Sequence, residues 1–235
     1  MSEELKQNRI REIDFCRGGA ILIMVVFHFF CFAIDFGGWK YTWSESAWAI
    51  KEFGGLYFFF LSGVVSRFAH KSIKRGLIVF ACGMMISAAS WWLIASGRED
   101  MGAFYSWGPL QTIGIGMMLL PMIKKLPDWM QLVLGAAIIA LGYYMLAEIR
   151  VIDPRIFPLG LITRNFKYWE FKPLCPYLGW FIFGVGAGNL IYRSGKPVTD
   201  LHNVLLEWVG RNSLLVYVVH LPLFYILFKT ILYKG

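Results

Sequence analysis

IDFCRGGAILIMVVFHFFCFAIDF, from Ile13 to Phe36, is the stretch that decides the fold. It is an apolar run long enough to cross ~30 Å of hydrocarbon as a helix, yet it carries Asp14, Arg17, His28 and Asp35. Ionisable groups in lipid are costly unless they are paired or face a wet interior, so their placement is informative. At ~100° per residue, the steps from Arg17 to His28 and from His28 to Asp35 each return close to the starting direction, and the set lines one face pointing into the protein. The run is long, holds Arg17 and His28, and is followed by no small-x-small cleavage pattern. It is therefore expected to remain as the first helix rather than to be removed as a signal peptide.

Similar runs recur along the chain. The expected spans are Ile13 to Phe36, Trp48 to Phe68, Gly76 to Ala95, Phe104 to Ile123, Met130 to Ala147, Leu174 to Tyr192 and Leu205 to Leu232. Composition agrees: 57% of the 235 residues are hydrophobic and 17% aromatic, more than a water-soluble core can hide. The fold class expected is all-α, a polytopic transmembrane bundle of about seven spans, with residues 1–235 forming a single domain. Lys6, Arg9, Arg11, Arg67, Lys71, Lys74, Arg75, Lys124, Lys125, Arg193 and Lys196 fall on one side of this arrangement. Positive-inside bias makes that side cytoplasmic, with the N-terminus inside and the C-terminus outside. The long connection from Glu148 to Pro173 then lies outside, although it carries Arg150, Arg155, Arg164, Lys167 and Lys172. Net charge +8 does not imply nucleic acid, because the basic residues sit in short connections rather than on one folded face. Cys16, Cys31, Cys82 and Cys175 have no metal or redox spacing and read as small apolar residues.

The side chains in the spans suggest a division of labour. Arg17 keeps its charge and grips phosphate bidentately, which suits a phosphorylated donor arriving from the cytosol, with Asp14 one turn away to orient it. Histidine as a residue type ordinarily titrates near neutrality, so an imidazole at position 28 suits taking a proton from an attacking hydroxyl or amine and returning it to a leaving group. The last span places Ser213, Tyr217 and His220 at i, i+4 and i+7 on one face, with His220 at a depth similar to His28. Arg211 lies one turn from Glu207 and reads as a local ion pair, and Pro222 is expected to kink the helix. Gln111, beside Gly108 and Pro109, is placed with the donor-side residues; a hydrogen bond between helices is the more common use of such a residue. Gly184, Gly186 and Gly188 follow no strand and read as helix packing rather than a nucleotide fingerprint.

Four stretches resemble a known family. Glu12-Ile13-Asp14-Phe15-Cys16-Arg17-Gly18-Gly19-Ala20, running on to Val26-Phe27-His28, is similar to the first helix of the transmembrane acyltransferase superfamily, including its arginine, ten residues, histidine spacing. Phe58-Phe59-Phe60-Leu61-Ser62-Gly63, Pro173-Leu174-Cys175-Pro176-Tyr177-Leu178-Gly179-Trp180 and Gly210-Arg211-Asn212-Ser213-Leu214-Leu215-Val216-Tyr217-Val218-Val219-His220 resemble the small bacterial relatives of heparan-alpha-glucosaminide N-acetyltransferase. The resemblance implies transfer of an acyl group, usually acetyl, from cytosolic acyl-CoA to a sugar or glycan hydroxyl or amine at or beyond the outer face of a cytoplasmic (inner) membrane. His28 and His220 are then the catalytic candidates. Arg17, Asp14 and Gln111 stand on the donor side, and Asp35, Tyr217, Ser213 and Trp180 on the acceptor side. No metal is expected. The expected partners are acyl-CoA, an amino-sugar or glycan acceptor and the bilayer, and the glycine-rich sixth span allows a homo-oligomer. The first outer loop, Gly37 to Ala47, lacks a histidine like the luminal one of the lysosomal enzyme, so that enzyme's substrate is not carried over.

Two readings of other classes share these residues. A b-type haem protein would use His28 and His220 as axial ligands. A transporter would use His28 as a proton-coupled group and move substrate without consuming acyl-CoA.

Overall fold

The computed structural model describes residues 10–40, 42–100, 104–148, 158–160 and 170–232. In chain order it forms α1 (Arg11–Asp35), α2 (Glu45–Ser66), α3 (Ser72–Ala95), β1 (Tyr105–Trp107), α4 (Pro109–Ile123), α5 (Asp128–Glu148), β2 (Glu170–Phe171), α6 (Leu174–Ile191), α7 (Val204–Arg211) and α8 (Ser213–Tyr225). A π-helical turn, Ile226–Leu232, continues α8. The expected basic residues Lys6 and Arg9, and most of the 148–173 connection with Arg150, Arg155, Arg164 and Lys167, lie outside the described residues.

Among the described residues five helices, α1, α2, α3, α5 and α6, are long and apolar enough to span a membrane. A sixth span is counted if α7 and Ser213–Lys229 are taken together, although they are bent by 83°. The protein is thus an integral membrane protein built mainly of helices, and two of the seven expected spans differ in detail from the expectation. The fourth, expected from Phe104, contains a helix of only 15 residues starting at Pro109. The residue before a proline is driven out of the helical region, and Gly108 is extended at φ −102° and ψ −173°, so the chain before it forms β1 instead. The last span breaks at Asn212 rather than at Pro222, which lies within α8. Asn212 departs from helical geometry (φ −102°, ψ 21°) while its side-chain amide donates to the Trp208 carbonyl at 2.9 Å. Such local bonding competes with helix continuation.

The chain divides into two compact units, one made of Met1–Phe58 and Tyr192–Gly235, the other of Phe59–Ile191. In the first, α1 packs on α7 and α8. The close approach depends on two glycines that face each other's helix backbones: a β-carbon on Gly18 would collide with the Leu206 carbonyl, and one on Gly210 with the Asp14 carbonyl. Below this contact the Glu12 carboxylate accepts hydrogen bonds from the Val198 amide at 2.8 Å and from the Thr199 amide and hydroxyl, both at 2.6 Å. It ties the segment before α7 to the start of α1. Burial, then the hydrogen bond to Glu12, pushes the Tyr192 phenol well above its ordinary pKa.

In the second unit α3 packs on α4 and α5 on α6. The expected role of the glycines in the sixth span holds: added β-carbons at Gly184, Gly186 and Gly188 would meet the Phe60 carbonyl, Leu132 and Val64. β1 and β2 pair in parallel, and a lattice of polar groups surrounds them. The Lys172 amide donates to the Trp107 carbonyl at 2.6 Å, the Thr112 hydroxyl donates to the Lys172 carbonyl at 2.7 Å, and the Ser106 hydroxyl donates to the Glu170 carbonyl at 3.3 Å. In an apolar surrounding each of these groups would be expensive to leave unbonded.

Replacing Gly18 or Gly210 by valine should lower stability by about 1–3 kcal/mol through overpacking. Gly19→Ala, whose β-carbon would meet nothing within 4 Å, should change it by less than about 0.5 kcal/mol. Thermal unfolding in detergent distinguishes the two cases.

Candidate functional site

The polar face of α1 meets α8 at two levels. At the lower, the Arg17 guanidinium donates to the Ser213 hydroxyl at the first residue of α8. At the upper, His28 Nδ1 and His220 Nε2 are 2.8 Å apart, with the rings nearly parallel at 13° and their centroids 5.0 Å apart. Both contacts ascend with residue number, so the two helices run in the same direction. Arg17 and His28 are about 16 Å apart along α1 and Ser213 and His220 about 10 Å apart along α8, a difference that the long arginine side chain can absorb.

The hydrogen bonds assign the protons. His220 Nδ1 lies 3.1 Å from the Val216 carbonyl oxygen, which can only accept. A neutral His220 therefore carries its hydrogen on Nδ1 and presents a lone pair at Nε2. That lone pair requires His28 to donate from Nδ1, and a neutral His28 then carries its own lone pair on Nε2. The chain of carbonyl, imidazole and imidazole thus leaves Nε2 of His28 as the basic atom. A proton taken up there would place positive charge on a ring already donating to His220. Both rings are buried, at 8% and 4% exposure, which keeps competing water from these bonds. Tyr217 packs edge-on to His220 at 5.4 Å and is itself buried.

Other sequence candidates fall in different places. Asp14 is buried one turn before Arg17, whereas Asp35 is exposed at the last residue of α1, roughly 10 Å beyond His28. Ser213, grouped by sequence with the acceptor side, stands at the level of Arg17. Gln111 lies in the second unit and is fully buried. Its oxygen accepts from the Gly108 amide at 3.1 Å and its nitrogen donates to the Ser87 hydroxyl at 2.9 Å, the pattern of a helix-start bond joined to an interhelical bond. Trp180 is also in the second unit, with its indole N–H buried and not hydrogen-bonded among the described residues. The expected ion pair is present: Arg211 Nη2 is 3.3 Å from Glu207, whose other oxygen is 3.2 Å from Arg11. Among the described residues no group of three or more His, Cys, Asp or Glu side chains is placed to hold a metal ion.

Sequence reasoning missed Val216, Glu12 and the Gly18/Gly210 contact. Val216 was in principle within reach, because a helical histidine can bond to the carbonyl four residues earlier. Its relevance depends on the orientation of the His220 ring, which only packing fixes.

A buried stripe of polar side chains held between apolar spanning helices defines a polytopic α-helical membrane protein with a polar interior site. The family profile described as heparan-alpha-glucosaminide N-acetyltransferase, catalytic, matches residues 9–222, and the chain belongs to that family of membrane acetyltransferases. No curated protein and no solved structure matches it.

The tautomers are directly measurable. Nitrogen-15 spectra of the histidine-labelled protein with neutral imidazoles should show both His28 and His220 protonated at Nδ1; a neutral His28 protonated at Nε2 would contradict the hydrogen-bond chain.

Proposed function

We propose that the protein moves an acetyl or other acyl group from cytosolic acyl-CoA to a hydroxyl or amine of a sugar or glycan at or beyond the outer face of the cytoplasmic membrane, with His28 as general base. The observation that carries this reading is the 2.8 Å His28–His220 bond backed by the Val216 carbonyl. It supplies a base with a defined lone pair and a second group that orients it, an arrangement shared by nucleophile-activating sites on unrelated folds.

In the proposed reaction Nε2 of His28 removes the proton from the acceptor as its oxygen or nitrogen attacks the thioester carbonyl. The tetrahedral intermediate collapses, the carbon–sulfur bond breaks, and the proton passes from Nε2 to the departing CoA sulfur. His220 stabilises the transient imidazolium by accepting from Nδ1. Arg17 holds donor phosphate from the cytosolic end, with Asp14 beside it; its bond to Ser213 positions the guanidinium at the start of α8. Tyr217 shapes the wall beside His220, and Asp35 is retained on the acceptor side. Gln111 is left out of this scheme, because its amide is engaged at both ends within the second unit.

The haem reading is less well supported. Two nitrogen–iron bonds end to end need about 4 Å between the ligating atoms, by analogy with metal–imidazole distances of about 2 Å. The imidazoles are instead bonded to one another at 2.8 Å. A proton-coupled transporter would also use a lone pair on His28, but it would move substrate without consuming acyl-CoA, which the assay below separates.

The test is consumption of labelled acetyl-CoA by detergent-purified protein, followed by a screen of amino sugars and glycans. His28→Ala should lower the transfer rate by about 10²–10⁴-fold while CoA still binds. A variant transferring at the normal rate would remove His28 from the scheme. Arg17→Ala should raise the donor KM well beyond the effect of Ser213→Ala, since the serine variant loses only the positioning bond. Equal effects would mean that Arg17 acts through Ser213 alone.

A further inference from the structure

The short helix α7 has its polarity reversed relative to a helix in water. Its charged Glu207 is 3% exposed, whereas Val204, Leu205 and Trp208 face outward at 74%, 65% and 55%. Gly210 and Val209 are buried with Glu207 on the side that meets α1. The outward face is therefore apolar, and an apolar outer face needs a covering.

Three observations identify that covering as the bilayer interface. First, α7 turns by 83° from Ser213–Lys229, so that if the latter crosses the membrane α7 runs nearly in its plane. Second, α8, which follows α7 directly in the chain, also turns apolar residues outward: Leu215, Val219 and Leu223, at helical spacing, are 59%, 46% and 56% exposed. Third, the edge of α7 carries a cationic rim. Arg11 and Arg211 both pair with the single carboxylate of Glu207, leaving one excess positive charge, and their side chains remain 62% and 46% exposed. Exposed guanidiniums beside an apolar face with a tryptophan match a surface of anionic phosphate above and acyl chain below.

We infer that α7 is an interfacial helix, lying in the membrane plane with Val204, Leu205 and Trp208 in the acyl boundary and Arg11 and Arg211 at the level of anionic lipid headgroups. Asn203 caps its start, accepting from the Leu205 and Leu206 amides at 3.1 Å each, and Asn212 ends it, so its length is fixed by side-chain bonds at both ends. The consequence for the site is a depth scale. Ser213, and with it the guanidinium of Arg17, sits one turn below the headgroups, and the His28–His220 pair lies deeper. This inference does not depend on the acyl-transfer reading.

Nitroxide labels at positions 204, 205, 208, 215 and 223 test it, attached one at a time to a chain with Cys16, Cys31, Cys82 and Cys175 replaced by alanine. The protein is reconstituted in phosphatidylcholine vesicles containing phosphatidylglycerol, and depth is read from collision with oxygen and with a nickel chelate. Positions 204 and 208 should lie at the same depth, ~5–10 Å below the phosphates. Positions 215 and 223 should differ by about 12 Å. A steady change of ~1.5 Å per residue from 204 to 223 would mean a straight span and overturn the proposal, as would preferential collision with nickel at 205 and 208. Photo-reactive benzoylphenylalanine at Leu205 or Trp208 provides a second readout with all four cysteines in place. Crosslinks to phospholipid support the inference, while crosslinks only to another copy of the chain overturn it.

Discussion

Hydrocarbon offers an imidazole no hydrogen-bond partner, so a histidine placed deep on a spanning helix must be satisfied by the protein. His28 finds its partner in His220, and much of the first unit follows from that single bond. It fixes which face of α8 turns toward α1 and how far along the helix the contact falls. It also removes the choice between imidazole tautomers, because the Val216 carbonyl holds the far end of the chain. A lower bond, from Arg17 to Ser213, prevents α8 from rotating about the upper one.

The break at Asn212 makes this two-level contact geometrically possible. A straight continuation from α7 would require both helices of the pair to approach α1 along one line. Instead Gly18 and Gly210 let α7 cross α1 at backbone distance, and α8 then departs in a new direction with its polar face toward the α1 stripe. Glu12 and Glu207 bind the same end: one holds the segment that leads into α7, the other holds Arg11 and Arg211 together. The contacts made by Arg11, Glu12 and Arg17 thus gather this unit around the first two turns of α1.

The second unit solves a different problem. A proline at the start of α4 forces the preceding chain out of helical geometry, exposing backbone groups that a continuous helix would have bonded internally. The Ser90 hydroxyl accepts from the Tyr105 amide, the Ser87 hydroxyl donates to the Ser106 carbonyl, the Lys172 amide donates to the Trp107 carbonyl, and the Gln111 side chain accepts from the Gly108 amide. Gln111, for which the sequence offered both a donor-side role and the more common interhelical hydrogen bond, takes part in this repair. The same apolar environment that makes a lone polar side chain conspicuous also makes it valuable as mortar between helices.

Much of the architecture could be read directly from the residues. Apolar runs of membrane-crossing length and the polar stripe of α1 are properties of local spacing, since a helix returns to the same face at fixed intervals. The face shared by Ser213, Tyr217 and His220 and the ion pair of Glu207 with Arg211 are legible for the same reason. The break at Asn212, the mini-sheet before α4 and the pairing of Arg17 with Ser213 were not, because each depends on competition between a local bond and a distant partner. Sequence by itself determined that the chain is a membrane-embedded helical protein with two histidines and an arginine on interior faces. Only the tertiary structure decided that the histidines bond to each other, which nitrogen of His28 keeps the lone pair, and that Gln111 is spent on helix packing. The physical reason is range: periodicity acts over a few residues, whereas a hydrogen bond between residues 28 and 220 exists only after the helices have packed.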